Sequence, residues 1–346
     1  MNQRRRAIMA SAGVLGLFLL VQIGALALVD PFEQAGYQSV EDPQNPTNSI
    51  LYIVFLLVAT GGMLLVFRYD VEWLLRGVLV LTSALIAWYV FSILIGPLGP
   101  AMGVPSIALS SLGAGILGLA LLVYPEWYVI DAVGVVMGAG AGALFGISFG
   151  VLPALVLLSV LAIYDAISVY GTEHMLTLAS GVLDLKVPVI LVMPLTLSYS
   201  FLDDEGPETA TPDEDGNGDE GESEASAKEG PAEADEEAPA EGDAFERDAL
   251  YIGLGDAVIP TVLVASAAFF VDAGRIDGGM LALNLPAVLA AVGTLCGLAT
   301  LLWLVMKGRA HAGLPLLNGG AIGGYLAGAL LSGLTLIEAL GLGPYF

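Results

Sequence analysis

Nine apolar runs, each about as long as the twenty residues a helix needs to cross the hydrocarbon core of a bilayer, restrict this chain to very few folds. They fall at about 7–29, 49–67, 77–97, 104–124, 127–149, 150–170, 250–271, 283–306 and 315–337. Hydrophobic residues make up 56% of the 346 and charged residues only 13%, where an ordinary soluble domain is about a quarter charged. The expected fold is therefore all-α and polytopic, one domain over 1–346 with nine transmembrane helices. The fifth and sixth runs are nearly continuous, and Ser148-Phe149-Gly150 is the expected turn between them. Arg4-Arg5-Arg6 and Ala25-Leu26-Ala27 give the first run the look of a secretory signal. It is longer than a typical signal core, so a retained helix is expected.

The net charge of −24 is mostly local: 20 of the 35 acidic residues lie between Asp203 and Asp248, with only Lys228 and Arg247 among them. Residues 203–248 are Asp, Glu, Gly, Pro, Ala and Ser with almost no aliphatics. Such a segment buries too little apolar surface to offset chain entropy, so a largely disordered acidic insert is expected between helices six and seven. Cytoplasmic loops collect Lys and Arg. With the N-terminus inside and nine spans, ten of the eleven basic residues fall on the inner side, and only Arg275 lies outside. The expected location is the cell membrane, with a cytoplasmic N-terminus, an extracytoplasmic C-terminus and the insert in the cytoplasm. An acidic chain of this kind is a poor ligand for nucleic acid. Neither a metal nor another cofactor is expected: Cys296 reads as a small buried hydrophobe, and His174 and His311 sit at segment ends.

Ahead of the acidic insert, Val187-Pro188-Val189-Ile190-Leu191-Val192-Met193-Pro194 is apolar, β-branched and too short to span. It reads as a strand or interfacial segment near the cytoplasmic face, and residues 172–184 as a short interfacial helix. The strand is either a structural lid or an edge that pairs with an extended peptide.

Two acids stand out because a carboxylate inside a bilayer costs several kcal/mol, about 3 by insertion scales. Asp165 lies in Leu161-Ala162-Ile163-Tyr164-Asp165-Ala166, and Asp256 in Gly253-Leu254-Gly255-Asp256. On the expected topology each sits roughly 10 Å from the cytoplasmic end of its helix, and the two helices are consecutive and antiparallel. Two neighbouring carboxyls share a proton, so one can activate a water while the other protonates a scissile carbonyl. Gly253 and Gly255 let backbone come close or loosen the helix before the acid, though 44 glycines in the chain make any one of them weak evidence. Tyr164 either hydrogen-bonds near the pair or packs. Asp131 and Glu338, near the ends of the fifth and ninth runs, are expected to be solvated at the interface.

These motifs resemble those of the presenilin and signal peptide peptidase family of intramembrane aspartyl proteases, in particular its archaeal members. Tyr164-Asp165 is similar to the family's Tyr-Asp motif, Gly253-Leu254-Gly255-Asp256 to its Gly-x-Gly-Asp motif, and Leu314-Pro315-Leu316-Leu317 to the Pro-Ala-Leu motif of the ninth helix. Leu316 stands where the family has alanine. The resemblance covers nearly the whole chain. It implies Asp165 and Asp256 as the catalytic pair, Pro315, Leu316 and Leu317 as residues shaping the active site, and transmembrane proteins or peptides as substrates. A proton- or cation-coupled transporter using the same acids is the alternative. Against it stand the lack of an internal repeat and the position of the acids near one face.

Overall fold

The structure is a computed structural model that describes residues 3–69, 72–171, 190–195, 199, 249–276, 279, 281–307 and 312–343. The acidic insert 203–248, the expected interfacial helix 172–184, His174 and His311 lie outside the described residues. The helices are α1 (Gln3–Gln34), α2 (Thr47–Arg68), α3 (Glu72–Leu94), α4 (Ser106–Val123), α5 (Trp127–Ser148) and α6 (Val151–Gly171), followed by α7 (Leu254–Phe270), α8 (Leu285–Val305), α9 (Gly313–Leu331) and the short α10 (Leu336–Ala339). Among the described residues seven helices are long and apolar enough to cross a membrane; the apolar stretches of α2 and α7 are shorter. The break between α5 and α6 falls at Phe149-Gly150, where the Gly150 N–H donates to the Pro43 carbonyl at 2.7 Å.

Two helix ends differ from the hydropathy pattern. The last long helix stops at Leu331 rather than near 337, because Ser332-Gly333 turns the chain with Gly333 at φ 89°. That left-handed backbone suits a residue without Cβ. Residues 250–253 open the seventh apolar run, yet with Ala249 they form a strand. Two strands, β1 (Ile190–Pro194) and β2 (Ala249–Gly253), pair antiparallel with Ile190 opposite Gly253 and Val192 opposite Tyr251.

Helix α5 is the central element: 67% of its most apolar window is buried inside the protein, against 22% for α3, α4 and α8. Small residues on α5 allow this. A Cβ at Gly142 would meet Thr261 of α7 and Ala25 of α1, and one at Gly146 would strike Ala265 of α7. Helix α1 lies against the same core, with Phe18, Val21, Val29 and Phe32 fully buried. Cys296 proves to be exposed on α8 rather than buried, because the opposite face of that helix (Thr294, Gly297, Leu298, Leu301) turns to the core. In a lipid-facing helix both faces are apolar, so hydropathy does not distinguish them.

Buried Asn284 ties α7 to α8. Its Oδ1 accepts from the Ala287 N–H at 2.8 Å as the cap of α8, while its Nδ2 donates to the Ala267 and Val271 carbonyls, each at 2.7 Å. Asn284→Ala would remove the cap of α8 and both bonds to the end of α7, leaving the Ala267 carbonyl only its bond from the Val271 N–H, with an expected loss of about 2–4 kcal/mol. Thermal unfolding in detergent measures it, and a melting temperature equal to that of the parent would refute the assignment.

Candidate active site

The N-terminus of α9 explains the position of Asp165. Its cap position is Ala312, which offers no side-chain acceptor for the first helical N–H groups. The buried carboxylate of Asp165, from α6, supplies one instead: Oδ2 accepts from the Leu314 N–H at 3.0 Å, and the Gly313 N–H also donates to it. The positive end of the α9 dipole faces the same acid. Pro315 follows in the first turn, where a missing N–H leaves no bond unmade. Leu316 and Leu317 then bring the backbone of α9 against Gly297 of α8, and the Leu317 side chain is fully buried.

Asp256 arrives by a different route. Gly253 is both the last residue of β2 and the cap position of α7, so the Gly-x-Gly-Asp segment is a strand-to-helix junction and Asp256 lies in the first turn. Leu254 is buried against α5, near Gly134 and Gly138, while Gly255 is exposed with open space where a side chain would stand. Asp256 Oδ2 lies 3.4 Å from where a Cβ on Gly253 would be, and 3.7 Å from the corresponding point on Gly313. Gly313 is thus the shared neighbour: its N–H serves Asp165, and its α-carbon faces Asp256. The two acids are close enough for the charge on Asp165 to act on Asp256.

A family model described as signal-peptide peptidase, presenilin aspartyl protease matches residues 15–334. The chain belongs to this family. Two solved structures, described as a presenilin family intramembrane aspartate protease in space groups C222 and P2, are similar to it. They share 33% and 32% identity with TM-scores of 0.59 and 0.58, over 93% and 92% of this chain and 99% and 97% of theirs. No curated protein matches the chain at comparable significance. The chain is accordingly a multi-pass membrane protein of an aspartyl protease family.

Within this family fold, the three sequence motifs meet at one place, the junction of α6, α7 and α9, but Tyr164 does not join them. Its side chain is 54% exposed and donates to no described residue. Two other polar residues bear on the site. Asn318, one turn beyond Leu314, is fully buried, and its Nδ2 donates at 3.0 Å to the carbonyl of Leu158, two turns before Asp165. Together with the Leu314 bond it registers α9 on α6 at two points. A lone amide in an apolar run was the available sequence signal. Asp131, expected at a solvated interface, is instead 5% exposed, and its Oδ1 accepts from the Val192 N–H at 2.8 Å. The interface reading failed because strand β1 folds back over the start of α5 and covers the acid. At Val192 the outward edge of β1 is therefore occupied by α5. Among the described residues no group of three or more His, Cys, Asp and Glu side chains is placed to hold a metal.

Proposed function

We propose that Asp165 and Asp256 are the catalytic pair of an endopeptidase that hydrolyses peptide bonds in or near the transmembrane segments of membrane proteins. The observation that supports this most directly is the convergence of both carboxyls on Gly313 at the start of α9. The pair shares one proton. The ionised acid takes a proton from water as the water oxygen bonds to the scissile carbonyl carbon, and the protonated acid gives its proton to the carbonyl oxygen. The resulting diol collapses as the C–N bond breaks. The leaving nitrogen takes a proton from one acid, and a diol hydroxyl returns one to the other, which restores the pair. The protonation states belong to the pair and not to either residue alone.

A helical substrate shields its peptide bonds in its own hydrogen bonds, so it must unwind before attack. Pro315, Leu316 and Leu317 would shape the floor on which the extended segment rests, with Gly253, Leu254 and Gly255 holding Asp256 at the strand-to-helix turn. Tyr164, exposed beside Asp165, would face substrate or lipid. The leucine at position 316 directs its backbone towards Gly297, so a larger side chain than the family's alanine alters the substrate side more than the chemistry. In the membrane we place nine crossings over one domain, the N-terminus and the 203–248 insert in the cytoplasm, and the C-terminus outside. The family assignment favours proteolysis over ion-coupled transport.

The reading is tested in liposomes without any ion gradient. The purified protein should convert a single-span substrate into two products, and a peptide isostere whose hydroxyl mimics the diol should block it. Solute flux that follows an imposed proton or sodium gradient, with no products formed, would replace protease by transporter.

A further inference from the structure

We infer that Asp131 is a positioning residue that anchors the β1–β2 sheet to α5 and thereby holds Asp256 against Asp165, an inference that rests on the catalytic reading above. The chain of contacts is short. Val192 is fully buried, and its N–H points away from β2 to Asp131 Oδ1 at 2.8 Å. In an antiparallel pair the outward N–H groups of one strand have no partner in the ladder. A buried N–H needs an acceptor, and Asp131 is the one it has. Register carries this anchor onward: Val192 faces Tyr251 and Ile190 faces Gly253, the cap residue of α7, three residues before Asp256.

Burying a carboxylate against a single described N–H donor is costly, so its placement calls for a reason. The face of α5 that carries it supplies one. Residues 131, 134 and 138 follow the spacing of one helical face. A Cβ at Gly134 would come 2.9 Å from Leu191 of β1, and one at Gly138 would come 3.3 Å from Leu254 of α7. The Leu191 and Leu254 side chains thus sit in the space that the two glycines leave on α5. These contacts are apolar and non-directional. The Val192–Asp131 hydrogen bond adds a directional fixed point for the strand along α5. Slippage by a fraction of a residue would move Asp256 relative to Asp165, which is held separately by α9.

The test measures kcat and KM for a single-span substrate in liposomes, and amide exchange by mass spectrometry across 190–194 and 249–253. Asp131→Ala should lower kcat by about 10- to 100-fold through misplacement of a reacting group, with KM within about threefold, and should speed exchange in both strands. Asp131→Asn keeps an acceptor for Val192 and should restore kcat to within about threefold of the parent. Val192→Pro removes the same bond from the other side while leaving the ladder to β2 intact, because that N–H points away from it. It should match Asp131→Ala, and the double variant should be no worse than either single one. A parent-like kcat in Asp131→Ala, failure of Asn to rescue, or multiplicative losses in the double variant would each overturn the inference. If Asp131→Ala shows no cooperative melt, Val192→Pro against Asp131→Asn decides in its place. Fast exchange at the Val192 amide of the parent overturns the anchor without any variant. Asp256→Ala is run alongside. If that variant still cleaves, the catalytic reading falls, whereas the exchange data still decide whether Asp131 holds the sheet.

Discussion

Asparagine at position 256 or at position 165 is expected to lower kcat by about a thousandfold or more, while the protein still folds. Neither amide can accept a proton from water or hand one to a carbonyl oxygen, so each substitution removes a step made only in the transition state. The two positions should differ in a second measurement. Asp165 accepts the Leu314 N–H at the start of α9. Asn keeps an acceptor there, but Asp165→Ala does not, and should cost about 1 kcal/mol of stability on top of the lost activity. Asp256 accepts no N–H from α9 in the structure's hydrogen bonds, so Asp256→Ala should melt near the parent temperature. Cleavage assays and detergent melts of the four variants check both parts. Activity within tenfold of the parent for either asparagine variant would remove that acid from the chemistry.

The largest structural effect is expected from Gly320→Val. Helices α8 and α9 cross with their backbones in contact: a Cβ on Gly320 would stand 2.9 Å from the Gly293 carbonyl carbon and on top of its oxygen, and a Cβ on Gly293 would do the same to Gly320. Gly297 against Leu316 and Gly324 against Leu289 repeat the arrangement along the seam. The obstructing atoms are backbone, so no rotamer change relieves the clash. Forcing the helices apart should cost about 3 kcal/mol or more. It should also carry the α9 N-terminus away from Asp165, so that activity falls with stability. Gly319, where a Cβ meets nothing within 4 Å, is the control: Gly319→Val on the exposed face should melt within a few degrees of the parent.

The seam shows why part of the structure was hidden. Glycine is common in membrane helices, and neither Gly293 nor Gly320 stands out from the 44 in the sequence. Only the crossing gives them a role. Cys296 and Asp131 illustrate the same point from opposite sides. Cys296 was expected to be buried and is exposed, and Asp131 was expected at an interface and is buried. Burial depends on which face of a helix meets a neighbour, and an all-apolar helix does not encode that in its hydropathy.

The apolar runs, the break at residues 148–150 and the oddity of Asp165 and Asp256 were all legible in the sequence. Hydrocarbon length and the cost of an intramembrane charge are properties of single segments, and they act whatever the segments pack against. The tertiary structure alone decided that Asp256 sits at a strand-to-helix junction, that Gly313 lies between the acids, and that Asp131 and Asn318 hold the supporting elements. The bonds among them use backbone N–H and C=O groups at a helix start, on an outward strand edge and within a helix. Such groups find partners far away in sequence, wherever the fold brings an acceptor or donor within about 3 Å.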